Sequence, residues 1–532
     1  MKKIICVFLV LCLILSLCGC SSADSNSSSS DYAETTAESD GFTASLLYSY
    51  SDSFNPYSAT TQINRQLCKL LFDPLIKLDN NFEVVYCLAQ SAELSGKSCK
   101  VVLNDVSFSD GSKVTAGDIA YSFNLARSSA TVYASQLYEV SSVSVADNLT
   151  VIFNLTRVDP YFINLLDFPI IKSGSVGVTN SDGVAIPPIG CGRYTINSDK
   201  TKLIFNDLYY GNKGQIKTIN LINSPDSESL SHHIEVGAAS IYYTDLSDGN
   251  IVRMSGKKTE INLNSLVYIG INSSYGDLAG KNMRYAISSA LNRTDICQQA
   301  FYNSAKPATG FFNPELKAVN HVQSIDKKSN MQITVENLSE IGYNNLDGNG
   351  FRINQTGKHP VYSLLVNSDN KSKLSCANII ASQLKSAGIQ INVTAKPYDS
   401  YIADLQSGNF ELYLGEINIL NNMDISPLVI SGGSAAYGVG LEPPALDENG
   451  NITQSNISAC QTVINEYYSG NGSVSLSDVA GAVLTEMPQI PICFKLGFLF
   501  YNSNIVSGVS ASQSDIYFSI ESYVCNIKND KN

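Results

Sequence analysis

The stretch from residue 361 to 393 constrains the fold more than any other part of the chain. Val361 to Val366 is an apolar run bounded by polar residues. Ser372 to Ala387 carries Leu374, Ala377, Ala381 and Leu384 at helical spacing, and Gly388 stands where a helix wants a C′ residue of positive φ. Ile389, Ile391 and Val393 then alternate like one face of a strand. Strand, helix and strand at this spacing form a βαβ unit, because two parallel strands need a long crossover. The fold class is therefore α/β. At 532 residues the chain is too long for one compact domain, and two or three are expected.

The earlier part of the chain reads differently. Lys100 to Leu103 leads through Phe108 to Asp110-Gly111, an apolar run ending in a turn. Thr115 and Asp118 have capping-box spacing, with Thr115 accepting the Asp118 amide and Asp118 reaching back. Ile119, Phe123 and Ala126 then share a helix face. Leu149, Val151, Phe153 and Leu155 alternate with polar or outward residues, a half-buried strand. We find no internal repeat.

The first residues bear on location. Lys2 and Lys3 precede an unbroken apolar run from Ile4 to Leu15, too short to span a bilayer comfortably but suited to a signal-peptide core. It ends in Leu17-Cys18-Gly19-Cys20, which resembles a bacterial lipobox. That resemblance implies a signal peptide over 1–19 and a lipidated Cys20 on the outer face of the cell membrane. Residues 20–42 are Ser-rich and polar, a tether with almost nothing to bury.

Charge and cysteine usage narrow the class. A net charge of −13 argues against nucleic acid and against a polybasic membrane contact. Of 13 Cys, four fall at or before Cys20; the nine that remain are an odd number with no C-x-x-C pair. They read as buried thiols used as small hydrophobes, although an oxidising exterior permits disulfides. Enzyme motifs are missing: there is no G-x-S-x-G and no H-E-x-x-H, and Gly276 to Asn282 is one residue short of a P-loop and ends in Asn. Neither a cofactor nor a metal site is expected, and adjacent His232 and His233 rarely share a face.

Several spaced blocks, in order, carry a family resemblance. They are Phe54-Asn55-Pro56, Leu71 to Ile76, and Phe108-Ser109-Asp110-Gly111 through Thr115-Ala116-Gly117-Asp118 to Phe123. Pro188 to Tyr194, Tyr268 to Asn272, Arg284 to Arg293, Gln383 to Ile389, Ser407 to Leu412 and Met487 to Pro491 follow. Together they resemble the family 5 extracellular solute-binding proteins, peptide and nickel receptors of ABC importers. Cys191 and Arg193 depart from the family's usual G-T-G-P-Y.

The resemblance implies a two-lobe fold of the periplasmic-binding-protein type II kind, with an extra N-terminal subdomain and a hinge crossed twice. Lobe I would take 43–265 and return over 485–532, and lobe II would take 266–484. A monomer would capture a small ligand, an oligopeptide or dipeptide, and hand it to a permease and ATPase. A metal chelate, a sugar or a sensory role on the same fold remain open.

In such receptors a lobe II carboxylate meets the peptide α-amine. Asp424 is the first candidate and Glu416 the second, with Asn418 between them. Tyr57 and Ser58 follow the Asn-Pro turn, and Tyr437 follows the flexible Gly432-Gly433. The chain holds no Trp, and the family's Asp-Pro is interrupted by Ile425 and Ser426.

Overall fold

The computed structural model describes residues 43–245, 256–440 and 459–525. The signal segment, Cys20 and the tether lie outside the described residues. Among the described residues no helix is long and apolar enough to cross a membrane.

Two four-stranded sheets build the first lobe. In one, Ala89–Ser95, Ser98–Leu103, Thr150–Leu155 and Val140–Asp147 lie antiparallel in that order. Val151, Phe153 and Leu155 face the core, as their alternation predicts. Helix Ala116–Ser128 buries Ile119, Phe123 and Ala126. The Asp118 carboxylate reaches back to accept the Thr115 amide at 2.9 Å and its hydroxyl at 2.7 Å. The Thr115 side chain faces the Asp118 amide in turn, so the expected capping box is present.

The other sheet sets Thr43–Tyr48 parallel to Thr218–Asn223, with Lys202–Phe205 and Tyr194–Ile196 antiparallel beyond. The end of the chain returns to this lobe: Ile516, Tyr517, Ile520 and Tyr523 share a core with Ala44, Leu46 and Phe72.

A larger mixed sheet forms the second lobe and links it to the first. Its order is Ile241–Thr244, Ile490–Tyr501, Lys257–Ile271, Leu412–Asn418, Val361–Asn367 and Gln390–Lys396. Lys257–Ile271 and Ile490–Tyr501, 15 and 12 residues long, are the two crossover strands. Ile261 and Leu499 lie in the first lobe's core, whereas Ile269 and Ile490 lie in the second's. The register between them slips from Asn262 to Leu266 and again at Val267. Slips of this kind bend and twist a strand pair, which is what a hinge crossing needs.

The expected βαβ unit is present. Val361–Asn367 and Gln390–Lys396 are parallel, joined by helix Lys371–Ser386. The helix ends at Gly388, whose φ of 82° favours a residue without a Cβ. Its buried face is Cys376, Ala377, Ile380 and Leu384, rotated slightly from the sequence reading, which leaves Leu374 and Ala381 half-buried.

Lys257–Ile271 also pairs with Leu412–Asn418, where Tyr268 opposes Gly415 and Tyr413 opposes Gly270. A Cβ on Gly270 would stand 1.8 Å from the Tyr413 ring, and one on Gly415 2.5 Å from the Tyr268 ring. The rings lean across the missing side chains, 5.7 Å apart and near perpendicular, and both hydroxyls donate to the Ala435 carbonyl. All nine cysteines from Cys68 onward are free, and seven are buried. Burial pushes the Cys99 thiol up to about 12, which keeps it unreactive.

Candidate ligand-binding cleft

Three strands of the second lobe, Val361–Asn367, Gln390–Lys396 and Leu412–Asn418, run parallel to one another. Their carboxyl ends therefore meet at one edge of the sheet, where helices Lys371–Ser386 and Tyr398–Ser407 begin. In open α/β sheets that edge is where ligands bind, since helix amino ends and loops converge there. Asn370 caps the first helix by accepting the Lys373 amide at 3.0 Å, and Asp369 accepts the Tyr398 amide at 2.9 Å.

Glu416 lies at this edge, close to both crossover strands. Its Oε1 accepts from Lys495 Nζ and from Ser265 Oγ, each at 2.8 Å, and its Oε2 meets Lys373 Nζ at 2.9 Å. Ser265 belongs to the slipped segment of the first crossover strand, and Lys495 to the second. Burial alone would push the Glu416 carboxyl up. The pull of Lys373 and Lys495 outweighs it and holds the carboxyl at about 2. Two cations share one anion, so the cluster carries an excess positive charge.

Asp424 occupies a different place, a seam between loop 420–424 of the second lobe and segment 157–168 of the first. Its Oδ2 meets Arg157 Nη2 at 2.5 Å, and its Oδ1 accepts the Ser426 amide at 2.8 Å. The Arg157 guanidinium also lies 3.8 Å over the Tyr468 ring and 3.5 Å from Glu139. Asn422 donates to Asp159 at 2.7 Å, Asn421 to Asp167 at 3.0 Å, and Asn164 to the Asn421 carbonyl at 3.1 Å. Burial lifts the Asp159 carboxyl to about 6, against the opposing bond from Asn422.

The other expected residues are dispersed. Asn418 is exposed at the strand end, opposite Ser265. Tyr57 is buried in the first lobe, its hydroxyl donating to the Pro169 carbonyl and its ring 5.8 Å from Tyr133. Ser58 is exposed and donates to Ser53 at 2.8 Å. Tyr437 is half-buried with its ring 6.0 Å from Tyr413. Glu416, Asn418 and Ser265 thus stand together, while Asp424 and Tyr57 stand apart from them and from each other. Arg284 holds four backbone carbonyls, from Leu278, Ala279, Glu486 and Met487. Among the described residues no three His, Cys, Asp or Glu side chains gather as a metal site.

Sequence reasoning missed Lys373, Lys495 and Arg157. A signal existed for Lys495, the one charged residue in the apolar strand Ile490–Tyr501. None marked Lys373 or Arg157, whose partners lie 43 and 267 residues away.

Residues 83–437 match the sequence profile of the bacterial extracellular solute-binding proteins, family 5. The chain is 24% identical over 429 residues to the oligopeptide-binding protein AppA of Bacillus subtilis, covering 76% of this chain and 78% of that one. Its fold superposes on a nickel ABC transporter protein from Bacillus halodurans with a TM-score of 0.70 at 18% identity, covering 90% and 98% of the two chains. The substrate binding protein CtaP of Listeria monocytogenes gives 0.67 at 18% identity, over 92% and 100%.

Proposed function

The chain belongs to the bacterial extracellular solute-binding proteins, family 5, and from that membership we propose that it captures short peptides for import. It is a substrate-binding protein of an ABC importer and acts outside the cytoplasm; it is not an enzyme. The observation that carries the peptide reading is the match to an oligopeptide-binding protein along three quarters of the chain.

In this reading lobe I comprises 43–265 and 485–532, lobe II comprises 266–484, and the peptide lies between them. Lobe closure about the crossover strands buries it, its backbone pairing with protein strands and its side chains in wet pockets. Cys20 carries the lipid that holds the receptor at the outer membrane face, and residues 20–42 let the monomer reach its permease. Asn418 and Tyr437 are the best placed of the expected contacts beside the Glu416 cluster. Asp424 would have to exchange Arg157 for a peptide amine before it could serve as the anchor.

Thermal unfolding of the mature protein against short peptides, sugars and Ni²⁺ tests this. A ligand at 100 times its Kd adds about 2.7 kcal/mol to the folded state if it binds that state alone. A rise with short peptides is the expected result. A rise with Ni²⁺ or a sugar and none with any peptide would transfer the protein to another ligand class on the same fold.

A further inference from the structure

The charge arrangement around Glu416 points to the chemistry of the ligand. Lys495 is 5% exposed, yet among the described residues the one acceptor its ammonium meets is Glu416 Oε1. Lys373 likewise meets Glu416 Oε2 and no second acceptor among the described residues. Each ammonium has three donors, so most of them have no protein partner. A buried cation left in this state is unfavourable unless an anion or ordered water completes its shell. Lys306, on the strand that pairs with Ile490–Tyr501, adds no balancing charge either, because it is a cation that already takes its own carboxylate, Glu315 at 2.6 Å.

A second observation has the same sign. Helix Lys371–Ser386 begins at this edge with Lys371 and Lys373 in its first turn and no acidic residue there. A helix amino end favours negative charge and disfavours lysine, so the lysines add to a positive field that the helix already makes. Lys373 and Glu416 are each 18% exposed, so solvent reaches the cluster.

We propose that Lys373 and Lys495, oriented by Glu416 and Ser265 where both crossover strands leave one lobe for the other, form a subsite for an anionic group of the ligand. A carboxylate or a phosphate would fill it. The proposal rests on the cleft reading above and reverses its polarity: the ligand is fixed here by its acid end. Binding at this point also touches both crossover strands at once, through Lys495 directly and through Glu416 to Ser265.

The test compares trialanine with trialanine amide by calorimetry, on the mature protein and on its Lys495→Met and Lys373→Met variants. Melting is followed in parallel with succinate and with inorganic phosphate, against sodium chloride at matched ionic strength. We expect the free acid to bind at least tenfold more tightly than the amide, and both variants to erase that gap. Lys495→Met leaves a neutral Glu416–Lys373 pair, so the unliganded variant should melt no lower than the parent. Peptides that bind equally as acid and amide would overturn the subsite and leave the peptide receptor standing. Succinate or phosphate raising the melting point of the parent but not of Lys495→Met, with no peptide bound, would keep the subsite and remove the peptide; the two anions compared tell carboxylate from phosphate. Neither anion nor peptide discriminating parent from variants would end the proposal, as would a marked loss of unliganded stability in Lys495→Met.

Discussion

Glu416 and Asp424 are carboxylates eight positions apart, one on strand Leu412–Asn418 and one in the loop that follows it, and their surroundings are opposite in charge. Asp424 meets one guanidinium that is also shared with Glu139 and stacked on Tyr468, so at the seam between the lobes one cation faces two carboxylates. Glu416 is surrounded by more positive charge than it can neutralise. The first arrangement holds two surfaces together, and Asp424 would have to give up Arg157 to meet a ligand. The second is incomplete as it stands. Counting the donors and charges around a carboxylate therefore says more about its role than its position in a motif does.

The sharpest way to break this contrast is Glu416→Gln. Removing the anion leaves two ammonium groups near each other with no counter-charge, and about 3–5 kcal/mol of stability should be lost, read from urea unfolding. A loss below about 1 kcal/mol would mean that water already compensates the lysines.

The pH dependence separates the regions further. The Asp159 carboxyl is raised from 3.8 to about 6 by burial, so its contribution to stability is complete below pH 4 and disappears as pH rises through 6. Over that window the seam should weaken by roughly 2–3 kcal/mol, and Asp159→Asn should remove the slope from unfolding midpoints taken between pH 4 and 7. Glu416 has the opposite sign: lowered from 4.5 to about 2, its contribution is present above pH 4.5 and is lost as pH falls toward 2.

Asp424→Asn should cost about 2 kcal/mol by leaving Arg157 short of its partner, with little change in ligand affinity measured by calorimetry. A large affinity loss at unchanged stability would return Asp424 to the ligand site. The smallest effect is expected at Tyr57→Phe, about 1 kcal/mol from the lost bond to the Pro169 carbonyl, with affinity unchanged.

Local signals made much of the fold legible. The βαβ unit was readable because strand, helix and Gly388 are contiguous, and the Thr150–Leu155 strand because its period-2 pattern is intact. The capping contact at Asp118 was readable for the same reason, since both partners lie within four residues. The charge clusters were not, because Lys495, Ser265, Lys373 and Glu416 come from four separate elements and no spacing rule links them. Family pattern drew attention to both Glu416 and Asp424, but it could not say which cations each would meet. The loss of Trp was visible; that Glu416 would be held by two lysines next to the Tyr268–Gly415 contact required the register of three strands.

The parallel pairing of Thr43–Tyr48 with Thr218–Asn223, and the packing of Tyr523 against the same core, bear on the order in which the chain folds. Long-range closure is slow because its entropy must be met before its contacts form. The βαβ unit at 361–396 can assemble as soon as its own residues emerge. The first lobe has to wait for residues near the end of the chain, so the half made first is the half completed last. A chain delivered amino end first thereby keeps that core open until it has been almost entirely delivered.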